Sequence, residues 1–284
     1  MRSTWLGSLG VVSFFLAGCM AKVQPQGPTA SPSPASLPPI APSDAQLKVT
    51  DVKIEPNVIL LKTSAGALSI AAVNDHVIRV RASRDGSFAK DFSWAVVPGA
   101  NAPKGTFTVK DDATAIIAAT HDVHVKVEKN PLRISFLDAS DQVISEDAPG
   151  RSMSLSSAGF RVDKAMPEDE HYFGLGDKAG GLDRRDMAFT NWNKDAYGWS
   201  ESSDPLYKTI PFFLGLRKGR AYGIFVDNTW RSWFDFGKTS RDSYAFGSEG
   251  EARRTGYCIR SGHESPSEVF GHINLLGGRE SSVH

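Results

Sequence analysis

Two cysteines in 284 residues are too few for a disulfide framework. Cys19 follows an apolar N-terminal run, Cys258 stands alone near the other end, and none of the seven histidines joins Cys258 in a cluster. Structural zinc needs about four Cys or His ligands at short spacing, so no metal is expected and Cys258 reads as an incidental buried thiol. No cofactor is expected either. Charge of one sign is equally scarce: 32 Lys and Arg cancel 32 Asp and Glu, which leaves no basic surplus to neutralise a phosphate backbone and argues against nucleic acid as a partner. No long helical period and no alternating strand and helix series runs through the chain, which disfavours a (β/α)8 barrel or a doubly wound sheet within it. There is no internal repeat, no G-x-S-x-G elbow and no H-E-x-x-H. Phe173-Gly174-Leu175-Gly176-Asp177-Lys178 contains a G-x-G without the third glycine or a following helical pattern, so a dinucleotide site is not expected.

What is present begins with a targeting signal. Arg2, an apolar stretch from Trp5 to Ala17 and small residues ahead of Cys19 have the layout of a secretory signal. The run is shorter than the roughly 20 apolar residues that cross a bilayer core. Leu16-Ala17-Gly18-Cys19 resembles a bacterial lipobox, in which the cysteine is lipidated and becomes the mature N-terminus. Met20 follows in place of an aspartate, which by resemblance to lipoprotein sorting points to the outer membrane or its periplasmic face. From Lys22 to Ala45 the chain is rich in Pro, Ser and Ala. Such a segment buries no core and favours extended conformations of about 3.1 Å per residue, the behaviour of a tether.

From Leu47 onwards, short runs of β-branched and aromatic residues are broken by Gly, Asn, Asp and Pro. In Asp122 to Glu128 the valines 123, 125 and 127 alternate with polar residues, the period of a half-buried strand that turns His124 to solvent. His76 to Ala82 and Leu132 to Leu137 repeat the pattern more loosely. Ile210 to Arg217 and Ala221 to Asp227 flank Lys218-Gly219-Arg220, where the glycine closes a hairpin. A dozen or more antiparallel strands do not stay in one open sheet, so the expected fold is all-β, a large antiparallel β-sandwich.

Aromatic residues concentrate in one stretch, 17 of the 28 lying between Tyr172 and Phe246. Trp192, Tyr197, Trp199, Tyr207, Trp230 and Trp233 are interspersed there with Asn191, Asn193, Asp195, Asp204 and Asp227. Ring faces stack on the C–H surfaces of sugars while carboxylates and amides take their hydroxyls, so the composition suits carbohydrate as well as a packed core. Carboxylate pairs such as Asp183 with Asp186, or Asp227 with Asp235, are expected by chance among 32 acidic residues and read as solvated loop charge.

Four segments in this stretch carry a resemblance: His171-Tyr172-Phe173-Gly174-Leu175-Gly176-Asp177-Lys178, Asn191-Trp192-Asn193-Lys194-Asp195-Ala196-Tyr197-Gly198, Ile210-Pro211-Phe212-Phe213-Leu214 and Tyr222-Gly223-Ile224-Phe225-Val226-Asp227-Asn228. In order and spacing they resemble the N-terminal β-sandwich of glycoside hydrolase family 31, the family of α-glucosidases. Ile78-Arg79-Val80-Arg81 and Pro131-Leu132-Arg133-Ile134-Ser135-Phe136 resemble earlier strands of the same domain. The resemblance implies a galactose-mutarotase-like sandwich ahead of a catalytic (β/α)8 barrel that carries both aspartates of retaining hydrolysis of α-linked glycosides. The nearest approach to the family's Trp-x-Asp-Met nucleophile segment, Trp233-Phe234-Asp235-Phe236, lacks the methionine, so no catalytic residue is assigned. One role carries over: Asp195, in a loop that reaches over the barrel's mouth, is implied to accept hydrogen bonds from sugar hydroxyls.

The expected organisation is thus a signal at 1–18, a tether at 19–45 beginning with lipidated Cys19, a sandwich at 46–279 and an irregular tail at 280–284. Ser265 to Phe270 and Leu275 to Arg279 faintly resemble the last sandwich strand and the entry to the barrel. The expected partners are an α-linked oligosaccharide or glycoside, a membrane reached through Cys19, and a catalytic barrel absent from these residues. That absence suggests a truncated or frameshifted reading frame, inactive alone. Two alternatives stand beside this: a separate surface lipoprotein that binds oligosaccharides, and an aldose epimerase suggested by fold alone, for which no acid and base pair of His and Glu stands out.

Overall fold

A computed structural model describes residues 46–151, 153–250 and 256–262, all within the compact unit Ser36–His284. Every regular element among them is a strand. Val49–Glu55 (β1), Val58–Thr63 (β2), Gly66–Ala72 (β3) and Val77–Ser83 (β4) come first. After a long connection follow Thr108–Asp111 (β5), Ala115–Ala119 (β6), Val123–Lys129 (β7), Leu132–Asp138 (β8) and Val143–Glu146 (β9). Ser154–Leu155 (β10), Gly159–Ala165 (β11), His171–Gly176 (β12) and Ala188–Asn191 (β13) lead into the second half. Thr209–Arg217 (β14), Arg220–Val226 (β15), Ser232–Asp235 (β16), Ser243–Glu249 (β17) and Gly256–Gly262 (β18) complete the set.

Three sheets result, each with only antiparallel neighbours. Eight strands form one layer in the order β1-β2-β3-β4-β18-β15-β14-β12. Two five-stranded sheets, β5-β6-β7-β8-β9 and β10-β11-β17-β16-β13, form the other, and an isolated bridge between Asp147 and Lys164 links them. Side chains of all three sheets share one buried cluster, from Ile70 and Ile224 on the large sheet to Val125 and Phe246 on the smaller ones. This is the large antiparallel β-sandwich that the strand pattern predicts.

Local signals account for several strands, β4, β7, β8, β14 and β15 among them. In β7 the three valines are buried and their neighbours are not. His124 nonetheless does not project freely into solvent: its Nδ1 lies 2.7 Å from Asp141 Oδ1 across the β8–β9 turn. Lys218 and Gly219 close the β14–β15 hairpin with φ of 50° and 77°, the two left-handed positions of a type I′ turn. Sequence reading misses β18, which enters between β4 and β15 in the middle of the large sheet with Tyr257 and Ile259 buried. Its apolar run is short and follows a charged stretch, while the expected last strand at Ser265–Phe270 lies outside the described residues, as do Cys19, the tether and the tail.

Candidate functional site

The site is built from β12, β13, β14 and the long connection between the latter two. β12 ends in Gly174-Leu175-Gly176, whose φ values are 128°, 73° and 78°, and its pairing with β14 shifts register there. A Cβ on Gly174 would meet the Phe212 carbonyl oxygen at 2.6 Å, and one on Gly176 the Lys208 carbonyl oxygen at 2.7 Å. The G-x-G therefore serves a bulge against a neighbouring backbone and not a phosphate. Between the glycines Leu175 points into the core, a left-handed conformation that costs about 1–3 kcal/mol for such a residue. Beyond the bulge Asp177 meets Lys208, and Lys178 reaches towards the end of β13.

There Lys178 is fully enclosed, its Nζ 2.5 Å from the Thr190 carbonyl oxygen and 3.3 Å from Asp204 Oδ1. Burial pulls its pKa down, and Asp204 offsets that only in part, so the net shift is downward. The other oxygen of Asp204 accepts from the Thr190 amide at 2.5 Å. Further out, Asn193 Oδ1 accepts from both the amide and the hydroxyl of Thr209, each at 2.9 Å, and the Lys194 amide donates to the Leu206 carbonyl at 3.1 Å. Both limbs of the 192–208 connection are thus fixed. Beyond them, hydrogen bonds of residues 195–203 among the described residues stay within Ser200–Ser203.

On that tip Asp195 is exposed, and its carboxylate meets no hydrogen bond or ion pair among the described residues. Trp192, Trp199 and Tyr207 are about half exposed and Tyr197 is 99% exposed. The polar residues singled out beside them in the sequence behave differently. Asn193 and Asp204 hold backbone, as above. Asn191 is 4% exposed, and neither atom of its amide has a partner among the described residues.

The remaining candidates divide in the same way. Trp233 is buried on β16 beneath the Arg161 guanidinium, 5.0 Å from its ring, so it belongs to packing and not to an open sugar platform. Trp230 is exposed. Asp227 accepts from Ser93 at 2.6 Å and lies 3.5 Å from Arg79, which also grips Asp91. Together with Arg81, which donates to the Ala89 carbonyl at 2.8 Å, these groups hold the β4–β5 connection over the sheet. Burial raises the pKa of Asp227, against the Ser93 hydrogen bond and the Arg79 charge. Asp235 caps a turn by accepting from the Lys238 and Thr239 amides and the Thr239 hydroxyl. Asp183 accepts from His171 and from the Tyr172 and Arg185 amides. Burial raises its pKa, but those bonds outweigh it and the net shift is downward.

Two buried polar groups escaped sequence reading. Glu170 is enclosed under the rings of the core, accepting from Tyr172 at 2.9 Å, while Tyr222 and Tyr244 share a 3.2 Å hydrogen bond beside it. Burial holds its carboxyl above the usual range, partly offset by the Tyr222 and Tyr172 hydroxyls. Lys164, also fully enclosed, lies 2.7 Å from Asp147 and over the Phe136 and Tyr257 rings at 5.0 and 5.6 Å. No motif marks either group: Lys164 meets Asp147, Phe136 and Tyr257 far along the chain, and Glu170 meets Tyr222 likewise. Among the described residues no group of three or more His, Cys, Asp or Glu is placed to hold a metal.

The geometry gives an antiparallel sandwich carrying a stapled aromatic loop, and comparison with known proteins gives its class. Residues 67–235 match the model of the glycosyl hydrolase 31 N-terminal galactose mutarotase-like domain; the chain belongs to that family. It is 30% identical over 216 residues to alpha-glucosidase 2 of Bacillus thermoamyloliquefaciens, covering 75% of this chain and 27% of the relative. Isomaltosyltransferase of Sporosarcina globispora is 23% identical over 223 residues, 74% of this chain and 19% of the relative. Among solved structures, a GH31 dextranase of Flavobacterium johnsoniae complexed with isomaltotriose superposes with a TM-score of 0.75 at 28% identity, over 82% of this chain and 28% of that one. The chain thus spans roughly a quarter of the length of the α-glucosidase and dextranase it resembles.

Proposed function

We propose that this sandwich is the carbohydrate-contacting N-terminal domain of an enzyme that hydrolyses terminal α-linked glycosides, working with a catalytic barrel that supplies the nucleophile and the acid of retaining chemistry. Asp195 accepts hydrogen bonds from sugar hydroxyls, and Trp192, Tyr197 and Trp199 offer ring faces. The observation that carries this is the exposed, unengaged carboxylate of Asp195 at the tip of a loop whose two limbs are held by Asp204 and Asn193. Relatives named for α-glucosidase and dextranase activity supply the substrate class. The same reading makes the chain an exported lipoprotein anchored through Cys19, on the strength of Leu16-Ala17-Gly18-Cys19; the intact mass of the exported chain reports the lipid.

The test has two arms. The 284-residue chain should release no aryl from aryl α-glucosides above a blank, since the family's reaction needs two carboxylates placed across one sugar. Joined to a family 31 barrel it should support hydrolysis of isomaltotriose, with Asp195→Ala raising KM by about tenfold or more. Hydrolysis by the chain alone, or an Asp195→Ala enzyme indistinguishable from the parent, sinks the reading. Calorimetric binding of isomaltotriose to the chain alone, lost on changing Trp192 and Asp195, favours instead a separate oligosaccharide-binding lipoprotein.

A further inference from the structure

Among the described residues the Asp195 tip has no hydrogen bonds of its own to the body of the sandwich, so its position depends on what fixes the two limbs below it. Both limbs meet at Lys178. Its ammonium binds the Thr190 carbonyl at the start of the connection and Asp204 near its end, and Asp204 turns back to the Thr190 amide. One backbone unit, the Thr190 peptide group and its own carbonyl, is therefore bracketed by a buried cation and its counter-ion. Next to Lys178, the Asp177 amide donates to the carbonyl of Lys208 at the end of the connection at 2.8 Å. The clamp is anchored to the core through the Phe189 ring, 5.8 Å from Lys178 Nζ.

We propose that Lys178 and Asp204 are positioning residues: a buried ion pair that holds the two limbs of the 192–208 loop in register and so presents Asp195 and the rings of Trp192 and Trp199. The proposal rests on the reading of Asp195 given above. An ordinary structural salt bridge would fix the fold as a whole. This one lies where the loop leaves the sheet, and it joins the Thr190 backbone at the end of β13 to the Asp204 side chain near the loop's other end. Either charge alone in this enclosed position is unfavourable, so removing one partner should free the loop or draw the remaining charge out to water, and both displace the tip.

The test is made on the whole chain, labelled with 5-fluorotryptophan, with signals assigned by single Trp→Phe changes. In Asp204→Asn and in Lys178→Met, the Trp192 and Trp199 resonances should shift or broaden. The resonance of Trp233, buried on β16, should stay as in the parent. Amide exchange at Lys194 and Thr209 should quicken while exchange along β16 and β17 does not. The double variant Lys178→Met with Asp204→Leu removes the unpaired charge and keeps the molecule folded if a single variant fails. It should still show the loosened loop, because the charge-assisted contacts to Thr190 are gone. Joined to the barrel, each variant should raise KM for isomaltotriose about as far as Asp195→Ala does, on the order of tenfold, and leave the global unfolding midpoint of the double variant near the parent's.

Unchanged Trp192 and Trp199 signals with unchanged loop exchange would overturn the proposal. So would a loosened loop whose KM stays at the parent value while Asp195→Ala raises it. If Asp195→Ala itself has no effect, the reading of Asp195 fails, and the clamp is then judged on the fluorine and exchange signals alone.

Discussion

Two populations of aromatic side chain share the stretch from Tyr172 to Phe246. Tyr172, Phe213, Phe234, Phe236, Tyr244 and Phe246 form a packed array with ring centroids 4.7 to 6.4 Å apart. Trp192, Tyr197, Trp199 and Tyr207 stand on a loop facing water. The polar groups near them differ in kind as well. Under the packed array Glu170, Asp147 and Lys164 are enclosed and answered by other side chains. On the loop, Asn193 and Asp204 are spent on backbone, and Asp195 is spent on nothing within the described residues. The lesson is that buried polar groups hold this sandwich in one arrangement, while the exposed loop keeps the Asp195 and Glu201 carboxylates and several ring faces for something outside.

The comparison breaks first, and by the largest margin, at Asp147. Its carboxylate both contacts Lys164 and accepts from the Ile134 amide at 2.8 Å. Asp147→Ala leaves an ammonium with no counter-charge in a site with no exposure, and should cost about 3–5 kcal/mol in urea unfolding followed by tryptophan emission. Replacing Lys164 with Met as well should recover part of that loss. A cost below about 1 kcal/mol, the range of an exposed pair, would mean that the pair is solvated and that core and loop do not differ in the way described.

How much of this was legible beforehand follows from the range of each interaction. The strands β4, β7, β8, β14 and β15 show in the sequence because alternation and turn chemistry are local. The four motifs marked the loop and Asp195. Composition could not separate the two aromatic populations, since Trp233 and Trp199 sit in similar local company and only sheet pairing buries one of them. Lys178 lay inside a quoted motif without a role, because its partner Asp204 is reached only after the whole loop has turned back. Glu170, Lys164 and the central strand β18 depend on contacts between residues far apart in the chain, for which a single sequence carries no period.

A smaller effect sharpens the buried side of the comparison. Burial raises the pKa of Glu170 above the ordinary 4.5, against hydrogen bonds from Tyr222 and Tyr172 and the charges of Arg217 and Arg185. Below that ordinary value the carboxyl is protonated in the folded and unfolded chain alike. As pH rises past it, the unfolded chain releases its proton while the folded one keeps it, so stability falls until the raised folded pKa is passed. Glu170→Gln removes this slope. The difference in Tm between parent and variant should therefore move against the parent from acid to neutral pH, on the order of a few degrees. A difference that stays flat with pH would show that Glu170 ionises as freely in the fold as outside it.

The smallest expected effect lies on the loop. Tyr197 has essentially its whole surface in water, and no hydrogen bond or ring contact ties it to the sandwich among the described residues. Truncation to Ala should change stability by no more than about 0.5 kcal/mol, within the error of most unfolding curves. Taking a ring on a sugar to be worth as much as a ring on another ring, about 0.5–1.5 kcal/mol, the same change in the barrel-joined enzyme should raise KM for isomaltotriose by about two- to tenfold. Chemical unfolding and steady-state kinetics on one variant thus read the two halves of the comparison separately. A stability loss above about 1 kcal/mol would place Tyr197 with the packed rings, and an unchanged KM at parent stability would remove it from the sugar face while leaving Asp195 to be judged on its own.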